Sequence, residues 1–156
     1  MGASSTTRGV FAGGQFDNPY PQTDIIDYIT IATEGNAIDF GDLTSATSHG
    51  SGLGNSIRGL FAGGSSPNKT NVIEFVIIAS TGNASDFGDL TGLYSVGSAT
   101  SNNTRGVFTG GYTAPSRHNL MEFVTISTTG NASDFGDMTY ARRDFGACSD
   151  SHGGLS

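Results

Sequence analysis

Apolar and polar residues alternate along this chain in short runs, and no stretch keeps its apolar residues at helical spacing. Val10, Phe11 and Ala12 form one run, closed by Gly13 and Gly14, where absent side chains permit positive φ or close backbone approach. It reads as a strand ending in a turn. From Ile26 onward Tyr28, Thr30 and Ala32 fall on one face and Ile29, Ile31 and Thr33 on the other, a strand that can be covered on both sides. Glu34-Gly35-Asn36 is turn chemistry, and a hairpin leads from it into a strand around Phe40-Gly41-Asp42-Leu43. A more variable segment, Ala46 to Leu53, completes the unit.

The unit occurs three times. Arg8 to Gly14 returns as Arg58 to Gly64 and as Arg105 to Gly111, and Gly35 to Thr44 returns as Gly82 to Thr91 and as Gly130 to Thr139. The alternating run has counterparts in Ile73 to Ile78 and Met121 to Ile126, and the variable segment in Tyr94 to Thr100 and Phe145 to Ser149. Four strands in each of three copies predict an all-β chain, a single repeat domain over 1–156 with repeats at about 8–54, 55–101 and 102–151. The repeats also change how composition is read. Fifteen of the 24 glycines are five markers per copy, so the glycine excess is punctuation and disorder is excluded.

This repeat resembles the kelch-type repeat of β-propellers, over almost the whole chain from Arg8 to about Ser151. The resemblance rests on a glycine pair after a short apolar strand, a strand with an aromatic, and a turn into an aromatic-x-x-Leu strand. Kelch units usually carry a tryptophan in the last strand; here Phe40, Phe87 and Phe135 stand in that place. The wording Gly-Asn-Ala-Ser-Asp-Phe-Gly-Asp-Leu-Thr, with Arg-Gly-Leu-Phe-Ala-Gly-Gly, is also similar to kelch-like repeat proteins of marine bacteriophages, cyanophages among them. The resemblance implies four-stranded blades and a viral protein, virion-associated or otherwise soluble in the infected host cytoplasm.

Closed propellers have about four to eight blades, so three leave a ring open with exposed edges and a large apolar face. Two chains would make six blades, and the expectation is a homodimer. In the kelch phase the innermost strand precedes the glycine-pair strand, so a chain starting at Arg8 lacks that strand in its first blade and has a spare one near Phe145 to Ser149. An exchanged C-terminal strand that completes the partner's first blade is therefore expected. The alternative fold is a monomeric β-trefoil, which also takes three copies of four strands; its lectin versions usually carry a Gln-x-Trp motif, and this chain has no tryptophan.

A net charge of -7 leaves no basic footprint for nucleic acid and no polybasic patch for a membrane surface. The longest apolar stretches are too short for a membrane span, and Met1 to Arg8 has no hydrophobic signal core. Part of the charge repeats. Arg8, Arg58 and Arg105 share one position, and the pairs Asp39 with Asp42, Asp86 with Asp89 and Asp134 with Asp137 share another. Buried arginines need carboxylates, so arginine–aspartate bonds between neighbouring blades are expected, with Asp42, Asp89 and Asp137 in structural roles. As a cation site the aspartates lack the dense acidic ladder of a calcium loop, and neither metal nor cofactor is expected.

His49, His118 and His152 occupy unrelated repeat positions, and no zinc spacing, nucleophile elbow or phosphate loop is present. Cys148 aligns with Leu53 and Thr100 and is expected to be a packed small residue. The myristoylation pattern at Met1 to Thr6 and the sequons at Asn68, Asn83, Asn102 and Asn131 arise by chance in a chain so rich in Ser, Thr and Asn. The copies differ most after each glycine pair. There Phe16, Asp17 and Tyr20, then Lys69, then Tyr112, Arg117 and His118 are candidate binding residues, on loops that in propellers share one face with the loops linking the blades. Aromatics with polar neighbours suit a host-surface glycan or another virion protein. The expected function is thus a non-enzymatic viral structural or attachment protein, a binding module; the alternative is an enzyme or metal-dependent site in the propeller channel.

Overall fold

The computed structural model describes residues 1–17, 19, 21–66 and 68–149. Among these the chain is all-β, with no helix. Strands β1 (Gly2–Ser4), β2 (Arg8–Gln15), β3 (Gln22–Thr30) and β4 (Ile38–Asp42) form a first antiparallel sheet in chain order. There follow β5 (Ser51–Gly54), β6 (Arg58–Ala62), the two-residue strands β7 (Ser65–Ser66) and β8 (Asn68–Lys69), β9 (Val72–Ile77) and β10 (Ser85–Asp89). Of these β5, β6, β9 and β10 make the second sheet, and β7 with β8 a small hairpin between β6 and β9. The third sheet is β11 (Ser95–Ser101), β12 (Arg105–Thr113), β13 (Ser116–Thr125) and β14 (Ser133–Asp137). The three sheets are separate and none is closed, which is not the single-chain closure of the β-trefoil alternative.

Two details of the strand expectation change. The glycine pair does not end its strand in the first and third sheets. It forms a bulge inside β2 and β12, where the register slips between Ala12 and Gly14 and between Thr109 and Gly111. Gly13 and Gly110 take φ of 60° and 58°, a left-handed geometry that a glycine adopts without the steric cost of a Cβ. In every copy the second glycine of the pair bonds outside its own ladder: Gly14 N–H donates to Thr47 O at 2.9 Å, Gly64 N–H to Tyr94 O at 3.1 Å and Gly111 N–H to Arg142 O at 3.1 Å. Each glycine pair thus holds the segment that leaves its own sheet.

The second change concerns the N-terminus. Gly2, Ala3 and Ser4 pair with Phe11, Val10 and Gly9, so the first sheet is completed by its own β1 and needs no exchanged strand. Met1 to Thr7 bears little likeness to Ser51–Ile57, and so the repeat is legible in the sequence only from Arg8. Backbone pairing next to a preformed β2 does not require such likeness. At the other end Phe145 to Ser149 is not a strand. It lies beside β11, with Thr100 Oγ1 donating to Cys148 O at 2.6 Å, and Cys148 is exposed, not packed as expected, because no further strand covers it.

The sheets stack through two hydrophobic cores, each shared by neighbours. Val10, Ala12, Ile26, Phe40 and Leu43 of the first sheet and the segment leaving it meet Phe61, Val76 and Ile78 of the second. Leu53, Leu60, Ala62, Ile73, Phe87 and Leu90 of the second meet Val96, Phe108, Val124, Ile126 and Tyr94 from the third sheet and its approach. Every sheet therefore has a forward face and a backward face of different composition. At full burial each large side chain contributes about 1.5–3 kcal/mol.

Polar ties repeat along both seams. The turn of the following sheet caps the β4-type edge: Gly82 N–H donates to Phe40 O (2.7 Å) and Ala84 N–H to Asp42 O (2.8 Å), while Asp42 N–H donates to Asn83 Oδ1 (3.2 Å). The same three bonds join Gly130, Ala132 and Asn131 to Phe87 and Asp89. The arginines join neighbouring sheets too, but not through aspartates. Arg8 donates to Ile78 O and Arg58 to Ile126 O, each at 3.0 Å. Their guanidinium groups lie over Tyr28 and Phe75, at 4.6 and 4.7 Å from the ring centres, and Arg105 lies likewise over Phe123 at 4.5 Å. A carbonyl and an aromatic face satisfy a half-buried guanidinium without desolvating a carboxylate. Among the described residues the ion pair is instead Arg143 with Asp144.

Two buried carboxylates escaped the sequence reading. Glu74 accepts from Thr44 N–H at 2.6 Å, and Glu122 accepts from Thr91 N–H at 2.7 Å and from the Tyr94 hydroxyl. Each reaches back to the Leu-Thr turn of the preceding sheet. Burial, above all, raises Glu74 above the ordinary carboxylate range, Asp86 adds to this, and the Thr44 bond opposes it. Burial and the bond to Glu122 hold the Tyr94 hydroxyl well above its usual value.

Candidate binding cleft

The bulges and the segments they hold come together at one end of the three sheets. Gln15 and Gln22 reach this end from the first sheet, Ser48, His49, Ser65 and Lys69 from the second and its approach, and Ser95, Tyr112, Arg143 and Asp144 from the third and the segment that leaves it. Between them lies an open cleft of about 480 Å3. Its wall is tied together by polar bonds. Gln22 Nε2 donates to Ser48 Oγ at 3.3 Å, Ser48 Oγ is 2.8 Å from His49 Nδ1, and Lys69 Nζ donates to Ser95 Oγ.

The third sheet supplies the charged side. Arg143 lies over the Tyr112 ring, 4.4 Å from its centre, while its Nε stands 3.1 Å from Asp144 Oδ2. Lys69 and Arg143 feel one another: partial burial, first, and then the positive charge of Arg143 lower the Lys69 pKa. A negatively charged group entering between them would relieve that repulsion. The cleft therefore combines two cations, one of them stacked on the Tyr112 ring and paired with Asp144, with a rim of hydroxyls and amides. Such a surface can hold an oxygen-rich molecule by hydrogen bonds and an acidic group by charge.

The expected binding residues divide. Lys69 and Tyr112 line the cleft. Arg117 is exposed on β13, opposite Tyr112 in the β12–β13 ladder. His118 turns inward, its ring 5.7 Å from that of Tyr94, and its Nε2 is buried without a partner. Phe16 and Asp17 are exposed at the tip of the first sheet, where Phe16 borders a separate hollow with Phe11 and Ile25. Tyr20 lies outside the described residues. Ser48, His49, Arg143 and Asp144 lie on the expected blade-linking loops, around 44–49 and 140–144, which the sequence places on this face, whereas Ser95 stands in none of the expected ranges. One signal for two of them is structural equivalence: His49 and Asp144 follow the segments held by the glycine pairs, and both adopt left-handed φ, 59° and 60°.

Among the described residues no three His, Cys, Asp or Glu side chains converge on a point where a metal ion would sit. No helix among them is long and apolar enough to cross a membrane. No family model matches the chain, and no curated protein matches it.

Proposed function

We propose that the three sheets are kelch-like propeller blades and that the protein is a non-enzymatic binding module of a bacteriophage, structural or used in attachment, whose loop-end cleft takes an acidic glycan. The cleft carries this reading: all three sheets contribute to it, and it sets Lys69, Arg143 and the Tyr112 ring around one opening. Sugar hydroxyls bond to the rim of hydroxyls and amides, and a carboxylated or sulfated substituent sits between Lys69 and Arg143, the latter held in place over the Tyr112 ring. The repeat wording supports the viral setting. Three blades leave a ring open, and a homodimer brings it to six.

A glycan array of neutral, sialylated and sulfated oligosaccharides tests the assignment. Acidic glycans bind the wild type, and Tyr112→Ala or Lys69→Met weakens binding at least about tenfold, or ~1.4 kcal/mol, without a change in melting temperature. Absence of any glycan binding, or binding that both variants leave intact, overturns it; retention of an acidic peptide alone would reassign the cleft to a protein partner.

A further inference from the structure

We propose that the two uncovered ends of the molecule are the two halves of a third seam, and that a second copy of this chain fills it head to tail. The surface rests on the reading of the sheets as blades, and it is independent of what the cleft binds.

The two internal seams supply the template. On the forward side of each stand a phenylalanine in the β4-type strand and the arginine that opens the β2-type strand; on the backward side stand a phenylalanine of the β2-type strand, an isoleucine after the β3-type strand, and the Gly-Asn-Ala turn. Forward, Phe40 and Phe87 are each 2% exposed, whereas Phe135 in the third sheet is 47% exposed. Backward, Phe61 and Phe108 are 2% and 0% exposed, whereas Phe11 in the first sheet is 51%. Ile78 and Ile126 are 1% and 0% exposed, and Ile31 is 54%. The end sheets keep the seam residues and lack only the neighbour.

The polar groups match as well. By the template, Arg105 would donate to the partner's Ile31 carbonyl, as Arg8 and Arg58 donate to Ile78 and Ile126. The partner's Gly35 and Ala37 N–H groups would reach the carbonyls of Phe135 and Asp137, and the partner's Asn36 Oδ1 would accept from Asp137 N–H, as the later turns do on Phe40–Asp42 and Phe87–Asp89. An exposed apolar surface with unpaired edge groups, whose complement is present on the same molecule, is the pattern of a heterologous interface. Two copies give six blades and a closed ring with two identical seams. Three copies give nine, beyond the range of about four to eight in which propellers close.

At the hub one segment must move. The inner strands β1, β5 and β11 line a hollow together with Ala147, Cys148 and Ser149, so the tail lies where the partner's β1 would stand. β1 is held in a ladder with β2, whereas the tail forms no strand among the described residues. The tail is therefore the part that yields.

The test is the mass of the full chain in sedimentation equilibrium, for the wild type and for Ile31→Asp and Phe135→Asp, with melting temperature and circular dichroism as checks that each variant folds. The wild type is expected at twice the chain mass of 16.0 kDa. Each variant alone, having no intact seam, is a monomer. An equimolar mixture recovers a mixed dimer, weaker than the wild type, because one seam in it joins two unaltered faces. A monomeric wild type, a dimer that survives either substitution, or a mixture that stays monomeric overturns the proposal; a ladder of larger species overturns the closed ring. A monomer that still binds acidic glycans would remove this seam and leave the cleft assignment standing, and a dimer that binds none would do the reverse.

Discussion

Phe87 and Phe135 stand in the same Ser-Asp-Phe-Gly-Asp strand, in the second and third sheets, and each makes an edge-on contact with the aromatic of the neighbouring strand, Phe75 at 6.0 Å and Phe123 at 6.1 Å. Within the sheet they are interchangeable. Across the sheet they are not: Phe87 is covered by the third sheet and its turn, and Phe135 faces solvent. The contrast separates two layers of stabilisation. Ring contacts and ladder bonds inside a sheet need only the repeat itself, whereas burial, capping of the outer edge and anchoring of the arginine need the next repeat. A middle sheet is therefore stabilised on two faces and each end sheet on one, as in other stacked-repeat proteins.

The sharpest way to break this contrast is truncation of both phenylalanines. Phe87→Ala should cost about 3–5 kcal/mol, and Phe135→Ala about 1 kcal/mol or less, in urea unfolding at concentrations that keep the chain monomeric. Equal costs would mean that the in-sheet contact, and not the seam, holds these residues.

A smaller effect isolates the neighbour from the backbone. Gly88 and Gly136 have φ of 148° and 126°, so alanine at either site is strained by about 1–3 kcal/mol. A Cβ at Gly88 would run into the Gly130 carbonyl, and at Gly136 it would meet nothing within 4 Å. Gly41, where a Cβ would come within 2.5 Å of Gly82 O, repeats the crowded case. Thermal melts should place Gly88→Ala below Gly136→Ala by a further ~1–3 kcal/mol of overpacking. Loss of self-association in Gly136→Ala, with its fold intact, would extend the comparison to the third seam.

The smallest effect is in the pH dependence. Burial raises the Glu74 pKa above its unfolded value, so between the two values the folded chain binds more protons than the unfolded one. Stability contributed by this group is thus present in acid and is lost as pH rises through the folded value. Melting temperature should accordingly rise slightly on acidification from neutrality toward the ordinary glutamate range. Glu74→Gln should flatten that slope while keeping an acceptor for Thr44 N–H. An unchanged slope would place the carboxylate in a solvated setting.

Much of the fold was legible in the residues. The three-fold period, the Gly-Asn turns and the alternating run at Ile26–Ile31 give the strands and their order, because these features act on residues near one another in the chain. The glycine pair was harder to read: a strand-ending turn and an in-strand bulge ask for the same residue, and only the register slip between Ala12 and Gly14 tells them apart. The partners of Arg8 and Arg58 were misassigned because a carbonyl of the next sheet leaves no mark in the sequence, whereas an aspartate does. The cleft was legible as a set of ranges. Lys69 and Tyr112 stood out by divergence between copies, yet Ser95 became a partner of Lys69 only when two sheets were placed side by side, and Arg143 a partner of Tyr112 only when the segment leaving the third sheet folded back over it.

Sequence alone determined that the chain is all-β, that its four-stranded unit occurs three times, and where the turns of that unit lie. These follow from local backbone preferences and from the alternation of side chains along each strand, which every copy carries in nearly the same form. Only the tertiary structure decided which copies face one another, that β1 completes the first sheet, that Glu74 and Glu122 are buried, and which residues the open end faces expose. A repeat assigns equal local preferences to equal positions. Burial and bonding partners depend on what stands opposite, and that differs between a sheet in the middle and a sheet at the end.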